Sequence, residues 1–481
     1  MAAFLAVYAW MILTGEDFAM FDNSQFTVFS LRGVNLPVHQ EGRFSPLSLQ
    51  EFNVVGHFTK TIAGYHSLAI AQLVILALIL FDLFRDGNSV YRCSIVCLAL
   101  VIPGVVISFT GLIYPERNVL FLLACLVWFV RRFDETFAVR YAVGAVVAVQ
   151  LMLYCKEPAF LLVLGFCGAR VLFRWMQRAG GPDWRGLDPL LIAASVGFLV
   201  LFAIMRFRQG PSAYLAARQV PVQEVLRYYL HVDPLAWALS VAAVVRVVRM
   251  VRGRTVAMPI WDALACGGVL YFVAYLGLRM VSPYYLAPVD FVAVLYLGRL
   301  LHNSWGTMRP ALRVFATALA LIVVCRGLML SAFYVLERKL IIRQKVAIAE
   351  LVREVFDSNS GDDVNLSFPL TSPYLLSEFA SYLSYRGLPV EEDAKGSLRG
   401  RRVHLISPNL KTDGRCVAWR PFVCHAGPAT GATLTIVLPE DARNWERYRA
   451  YSEQMHTRDP RTRPPMWLSQ VFGFLAVHKP S

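Results

Sequence analysis

Up to about residue 336, apolar residues come in runs of about 16 to 20, separated by short charged stretches. A bilayer core of about 30 Å takes about 20 helical residues to cross. Only helices or closed barrels satisfy the backbone in lipid, and these runs are too long and too apolar for barrel strands. The pattern predicts about eleven spans. They are Met1–Leu13, Tyr65–Phe84, Cys93–Gly111, Asn118–Val130, Tyr141–Tyr154, Pro158–Leu172, Leu190–Ile204, Pro234–Val245, Trp261–Leu278, Tyr285–Leu297 and Ala311–Tyr334. No Lys or Arg precedes the first run, so it does not read as a cleaved signal peptide. It reads as a short or tilted span, or as a chain start placed slightly too late.

Beyond residue 336 the pattern becomes that of a soluble protein. It predicts an amphipathic helix at Ala347–Phe356, a strand at Val364–Phe368 and a helix at Tyr374–Tyr385. Strands follow at Arg402–Ile406, Cys416–Trp419 and Thr433–Leu438, then a helix at Ala442–Gln454 and a strand at Val471–Val477. The expected fold is therefore a polytopic α-helical membrane protein over residues 1–336, with a long first outer loop (15–64). A C-terminal soluble α/β domain over residues 337–481 follows it.

Composition sharpens this picture. Only 17% of residues are charged, against about a quarter in soluble proteins. The net charge of +14 is mostly a topology signal. With the N-terminus inside, the inner loops hold about sixteen Lys and Arg, the outer turns about seven. That places the N-terminus in the cytoplasm and the C-terminal domain outside. Bases that flank spans form no single stripe, which argues against nucleic-acid binding. Cys416 and Cys424 are the two cysteines of the C-terminal region. A disulfide between them is permitted outside the cytoplasm, and two free buried thiols fit equally. No CxxC, HExxH, Walker loop or GxGxxG occurs, which argues against a nucleotide-driven pump.

Candidate chemistry lies on the outer side. The first loop opens with Glu16, Asp17 and Asp22 in GEDFAMFDNSQF and continues with Glu41 and Arg43 in HQEGRFSPL. A carboxylate held at a membrane–water boundary can act as a general base; an isolated one is more often a solvated loop residue. Short outer turns carry Glu116 and Arg117 (LIYPERN) and Lys156 and Glu157 (YCKEPAF). His66 opens the second span and Arg279 closes the ninth. Charges held at membrane depth tend to face a cavity or one another; snorkelling and local ion pairs are the plainer reading. Asp290 and Arg326, inside predicted spans, are either a structural pair or part of the same cavity. The loop RFRQGPSAYLAARQVPVQEVLRYYLHVD adds Arg206, Arg208, Arg218 and Arg227, suited to a phosphate or equally to anionic head groups.

On these residues the chain resembles the GT-C-type membrane glycosyltransferases, as a layout over residues 1–336. The resemblance implies a sugar donor on a polyprenyl phosphate and a glycan, lipid or protein acceptor. It also implies membrane-lipid contacts and a place in the bacterial inner (plasma) membrane. Asp17 stands where the class carries its first-loop catalytic acid, with Asp22 a close second. Glu116 stands where the second acidic motif falls, but alone, without the paired acids that bind metal in some members; no cofactor is implied with certainty, and metal dependence stays open. Lys156 and the arginines of the 206–227 loop, with Arg279, are the expected phosphate ligands. Two alternatives stay open: an O-antigen polymerase or ligase, which usually centres on a large late outer loop, and a non-enzymatic transporter or flippase. No internal repeat of the transporter kind is evident.

Overall fold

The computed structural model describes residues 1–20, 23–33, 44–177, 186–209, 221–358, 364–367, 373–390, 403–406, 416–420, 423–426 and 433–437. Of the expected features, Asp22, Glu41, Arg43, Arg218, the side chain of Arg208, the helix at 442–454 and the strand at 471–477 lie outside the described residues.

The helices are α1 (Ala2–Leu13), α2 (Ser24–Arg32), α3 (Gln50–Phe58), α4 (Ile62–Leu83), α5 (Ser89–Leu100), α6 (Pro103–Thr110), α7 (Glu116–Thr136) and α8 (Val139–Cys155). They continue as α9 (Ala159–Gln177), α10 (Leu187–Gln209), α11 (Val222–Val232), α12 (Pro234–Val251), α13 (Pro259–Leu278), α14 (Ala287–Ser304), α15 (Pro310–Ser358) and α16 (Pro373–Tyr385). Each predicted span falls on one of these helices, except Cys93–Gly111, which falls on two. Among the described residues, six helices (α4, α9, α10, α12, α13 and α15) are long and apolar enough to cross a membrane. The number is seven if the bent pair α5–α6 is one span. The difference from about eleven lies in four helices. α1 and α8 are apolar but shorter; α7 and α14 carry charges near their ends.

The break in the third predicted span has a local cause. Pro103 is the first residue of α6, and proline disfavours a helical residue before it. Ile102 is accordingly extended (φ −59°, ψ 131°), and α5 and α6 meet at 69°. Elsewhere the spans pack closely. A Cβ on Gly267 of α13 would lie 2.5 Å from the Leu162 carbonyl of α9, so glycine sets that close approach.

α15 runs unbroken for 49 residues, so the 336/337 boundary falls within one helix. Its extension and α16 pack onto the first loop: Ile348, Val352, Phe379 and Leu383 join Phe18, Phe26, Phe52 and Tyr65 in one buried cluster. Five short strands, β1 (Val364–Ser367), β2 (Val403–Ile406), β3 (Cys416–Arg420), β4 (Val423–Ala426) and β5 (Thr433–Val437), form one sheet in the order β2-β1-β5-β4-β3. β1 is parallel to β2 and β5; β4 is antiparallel to β5 and β3. The register sets Cys416 opposite Ala426 and Cys424 opposite Ala418. The side chains of both cysteines lie outside the described residues.

At the end of the bundle away from the first loop, several arginines of the sequence's inner loops, among them Arg131, Arg170 and Arg174, are matched by acids. Arg170, fully buried, binds Asp188 at 2.7 Å and Asp134 at 3.0 Å; Arg174 spans the same two acids. Removing one partner of a buried pair costs about 3–5 kcal/mol, whereas an exposed pair contributes at most about 1 kcal/mol. Thermal unfolding in detergent should therefore show a large loss for Arg170→Met. Arg85→Gln, which breaks the exposed pair with Glu135, should change little.

Candidate functional site

The turn after α1 is built by close backbone approach. Gly15 packs on α6, where a Cβ would meet the Thr110 carbonyl at 2.9 Å. The amide of Glu16 donates to that same carbonyl (3.3 Å). This sets Glu16 inside the protein, only 2% exposed. Its Oε1 pairs with Arg338 Nη1 at 2.6 Å. Its Oε2 accepts from Asn23 Nδ2 (3.1 Å) and from the Leu112 amide (3.3 Å). His66 Nε2 lies 2.7 Å from the Glu16 carbonyl. A carbonyl only accepts, so Nε2 carries the proton there.

Asp17 differs from its neighbour. It is half-buried, and its Oδ1 accepts from the Ala19 amide at 2.6 Å. Burial raises its carboxyl above the ordinary aspartate value; the Ala19 bond, Lys345 and Arg386 oppose that shift. α16 shields the site, with Tyr385 edge-on to Phe18 at 5.1 Å.

A run of aromatic and charged contacts connects this loop to the second acidic motif. Arg338 donates to Tyr114 Oη at 2.9 Å, and its guanidinium lies 5.1 Å from that ring's centre. Tyr114 contacts Tyr284 (4.7 Å between ring centres), and Tyr284 contacts Tyr285 (4.3 Å). Lys156 Nζ lies 5.1 Å from the Tyr285 ring centre and 2.6 Å from Glu116 Oε1. Glu116 is fully buried and Lys156 nearly so. Gly111 permits the joint: a Cβ there would overlap the Tyr114 ring at 2.1 Å and meet Glu16 Oε2 at 3.0 Å.

The structure thus brings Glu16, Asp17, His66, Glu116 and Lys156 into one contiguous region. Arg117, also fully buried, belongs to an adjoining network: it pairs with Glu51 at 3.2 Å, and Glu51 accepts from Asn118 at 2.6 Å. Glu157 accepts from the Phe44 amide at 2.7 Å and so anchors the returning first loop. Arg206 on α10 is half-buried, Arg227 on α11 is exposed, and Arg279 caps α13 with φ 55°. Asp290 and Arg326 line a separate cavity. Among the described residues no group of three or more His, Cys, Asp or Glu is placed to hold a metal ion.

Sequence reasoning missed Arg338, Lys345 and Arg386, the cations nearest the first-loop acids. A signal was present. Arg338 and Lys345 lie seven residues apart, and buried Ile348, Ala349 and Val352 continue the same stripe at helical spacing.

The two adjacent acids should separate by experiment. Glu16→Gln leaves Arg338 without its anion and should cost about 3–5 kcal/mol in unfolding. Asp17→Asn, at a half-buried site, should change unfolding little. Thermal melting of both purified variants is the measurement.

No protein-family model matches the sequence, and neither does any curated protein. Similar solved structures include two of ArnT. One is ArnT from Cupriavidus metallidurans bound to undecaprenyl phosphate, at 11% identity and a TM-score of 0.41. The other is the same protein in the apo state, at 13% identity and a TM-score of 0.42. Each alignment covers 79% of this chain and 83% of the ArnT chain.

Proposed function

We propose that this protein is a membrane glycosyltransferase that moves a sugar from a polyprenyl-phosphate-linked donor to an acceptor hydroxyl on the outer face, in cell-surface glycan assembly. The supporting observation is the division of labour between two adjacent acids. Glu16 is tied to Arg338, Asn23 and a backbone amide. Asp17 sits half-buried beside Lys345 and Arg386, with its carboxyl raised toward the range useful for a base.

In this reading Asp17 takes the proton of the acceptor hydroxyl as its oxygen bonds to the anomeric carbon. The bond from that carbon to the phosphate oxygen breaks on the opposite side, and the electron pair leaves with the lipid phosphate. Direct displacement inverts the carbon. Lys345 and Arg386 supply positive charge toward the negative charge that develops on the leaving phosphate. Lys156 contributes indirectly: its ammonium neutralises Glu116 and so holds the tyrosine bridge.

Loss of a general base costs about 100- to 10,000-fold in rate. Asp17→Asn should show that loss in glycan product formed by membranes, at normal expression, and Asp22→Asn should not. Wild-type product from Asp17→Asn, with normal expression, would remove this assignment. The pH profile carries a second expectation. The base must be ionised, so activity falls as pH drops through a raised carboxyl pKa. The acid limb of kcat/KM should therefore lie above the ordinary aspartate value of about 3.9, measured with saturating donor; a limb at or below that value contradicts the placement.

A further inference from the structure

His66 is a fully buried side chain that the proposed chemistry does not use. It lies in the second turn of α4, next to Tyr65, whose ring packs edge-on to Phe18 of the first loop (5.8 Å between centres). The start of α4 thus presents two side chains to the turn that carries Asp17. His66 Nε2 donates to the Glu16 carbonyl at 2.7 Å, and its Nδ1 has no hydrogen-bond partner among the described residues. Asn23, 1% exposed, reaches the same turn from the start of α2. Its Nδ2 donates to the Asp17 carbonyl at 2.9 Å and to Glu16 Oε2 at 3.1 Å. The Met20 amide donates to the same Asp17 carbonyl at 3.2 Å.

These contacts converge on the Asp17 backbone. A peptide group is planar, so the Glu16 carbonyl and the Asp17 amide turn as one unit, and the Asp17 carbonyl belongs to the next. His66 holds the plane before Asp17, and Asn23 holds the plane after it. Only φ and ψ of Asp17 relate the two planes, so fixing both sets the direction of its Cα–Cβ bond. The Ala19 amide, 2.6 Å from Oδ1, then orients the carboxyl itself.

We propose that His66 and Asn23 are positioning residues, a clamp on the two peptide planes that flank Asp17, which holds its carboxylate where a base must stand. The inference rests on the reading of Asp17 as the base. Packing alone does not call for a histidine at this place. A methionine fills much of the same volume but leaves the Glu16 carbonyl without its donor. A glutamine keeps an N–H at the end of a side chain of similar reach. A misplacement of about 1 Å costs on the order of 100-fold in rate.

The test uses the full chain, purified in detergent and in membranes. Hydrogen exchange over residues 16–20, read by mass spectrometry, reports the clamp without substrate. His66→Met and Asn23→Ala should each exchange faster there than the wild type while melting as folded proteins. Glycan product formed by membranes at normal expression should fall about 100-fold in each. His66→Gln should recover most of what His66→Met loses. If His66→Met fails to fold, Asn23→Ala decides the test alone. Unchanged exchange over residues 16–20, wild-type product from folded His66→Met, or His66→Gln as inactive as His66→Met would overturn the inference. Asp17→Asn separates the two readings. Lost product there, with wild-type product from His66→Met, overturns the clamp alone; wild-type product from Asp17→Asn overturns the base assignment and the clamp with it.

Discussion

A carboxylate buried at the end of an apolar helix bundle has to be matched, and at Glu16 the match comes from more than 300 residues away in sequence. The Arg338 guanidinium 2.6 Å from Glu16 ties the first loop to the extension of α15. Bringing charges out of water is costly, and the cost is recovered only when every lone pair finds a donor. Glu16 is matched by Arg338, Asn23 and the Leu112 amide. Because Arg338 also grips Tyr114, the same contact positions the tyrosines that reach Lys156 and Glu116. The start of the first loop at Glu16, the turn before α7 and the end of α8 are thereby linked through one run of contacts.

That arrangement leaves Asp17 in a different state from its neighbour. It is held by one short backbone bond, partly open, and flanked by cations on α15 and near the end of α16. A group used as a base must change charge during the reaction, which a fully paired buried carboxylate resists. The chain places the rigid acid and the adaptable acid side by side, so the strongly paired one fixes the geometry of the other.

Charges elsewhere follow the same rule with different outcomes. At the far end of the bundle, Arg170 and Arg174 meet two acids in a closed network, which serves stability. Near the helix break, two carboxyls face one arginine across a cavity, and one carboxylate oxygen is left unmatched.

The helical character of residues 1–336 was legible in sequence because apolar length is a local property: each predicted span falls on a helix or on the α5–α6 pair. The bend at Pro103 was in principle readable, since proline acts on its immediate neighbours. The acids Asp17 and Glu116 were singled out in sequence from their positions at the mouths of spans. What sequence could not decide was pairing. That Lys156 neutralises Glu116 and that Arg117 turns to Glu51 depends on how helices pack. That α15 continues far enough to deliver Arg338 and Lys345 depends on packing as well. Hydrophobic length is written residue by residue along the chain, whereas the partner of a buried charge is set by distances that exist only once the helices have assembled.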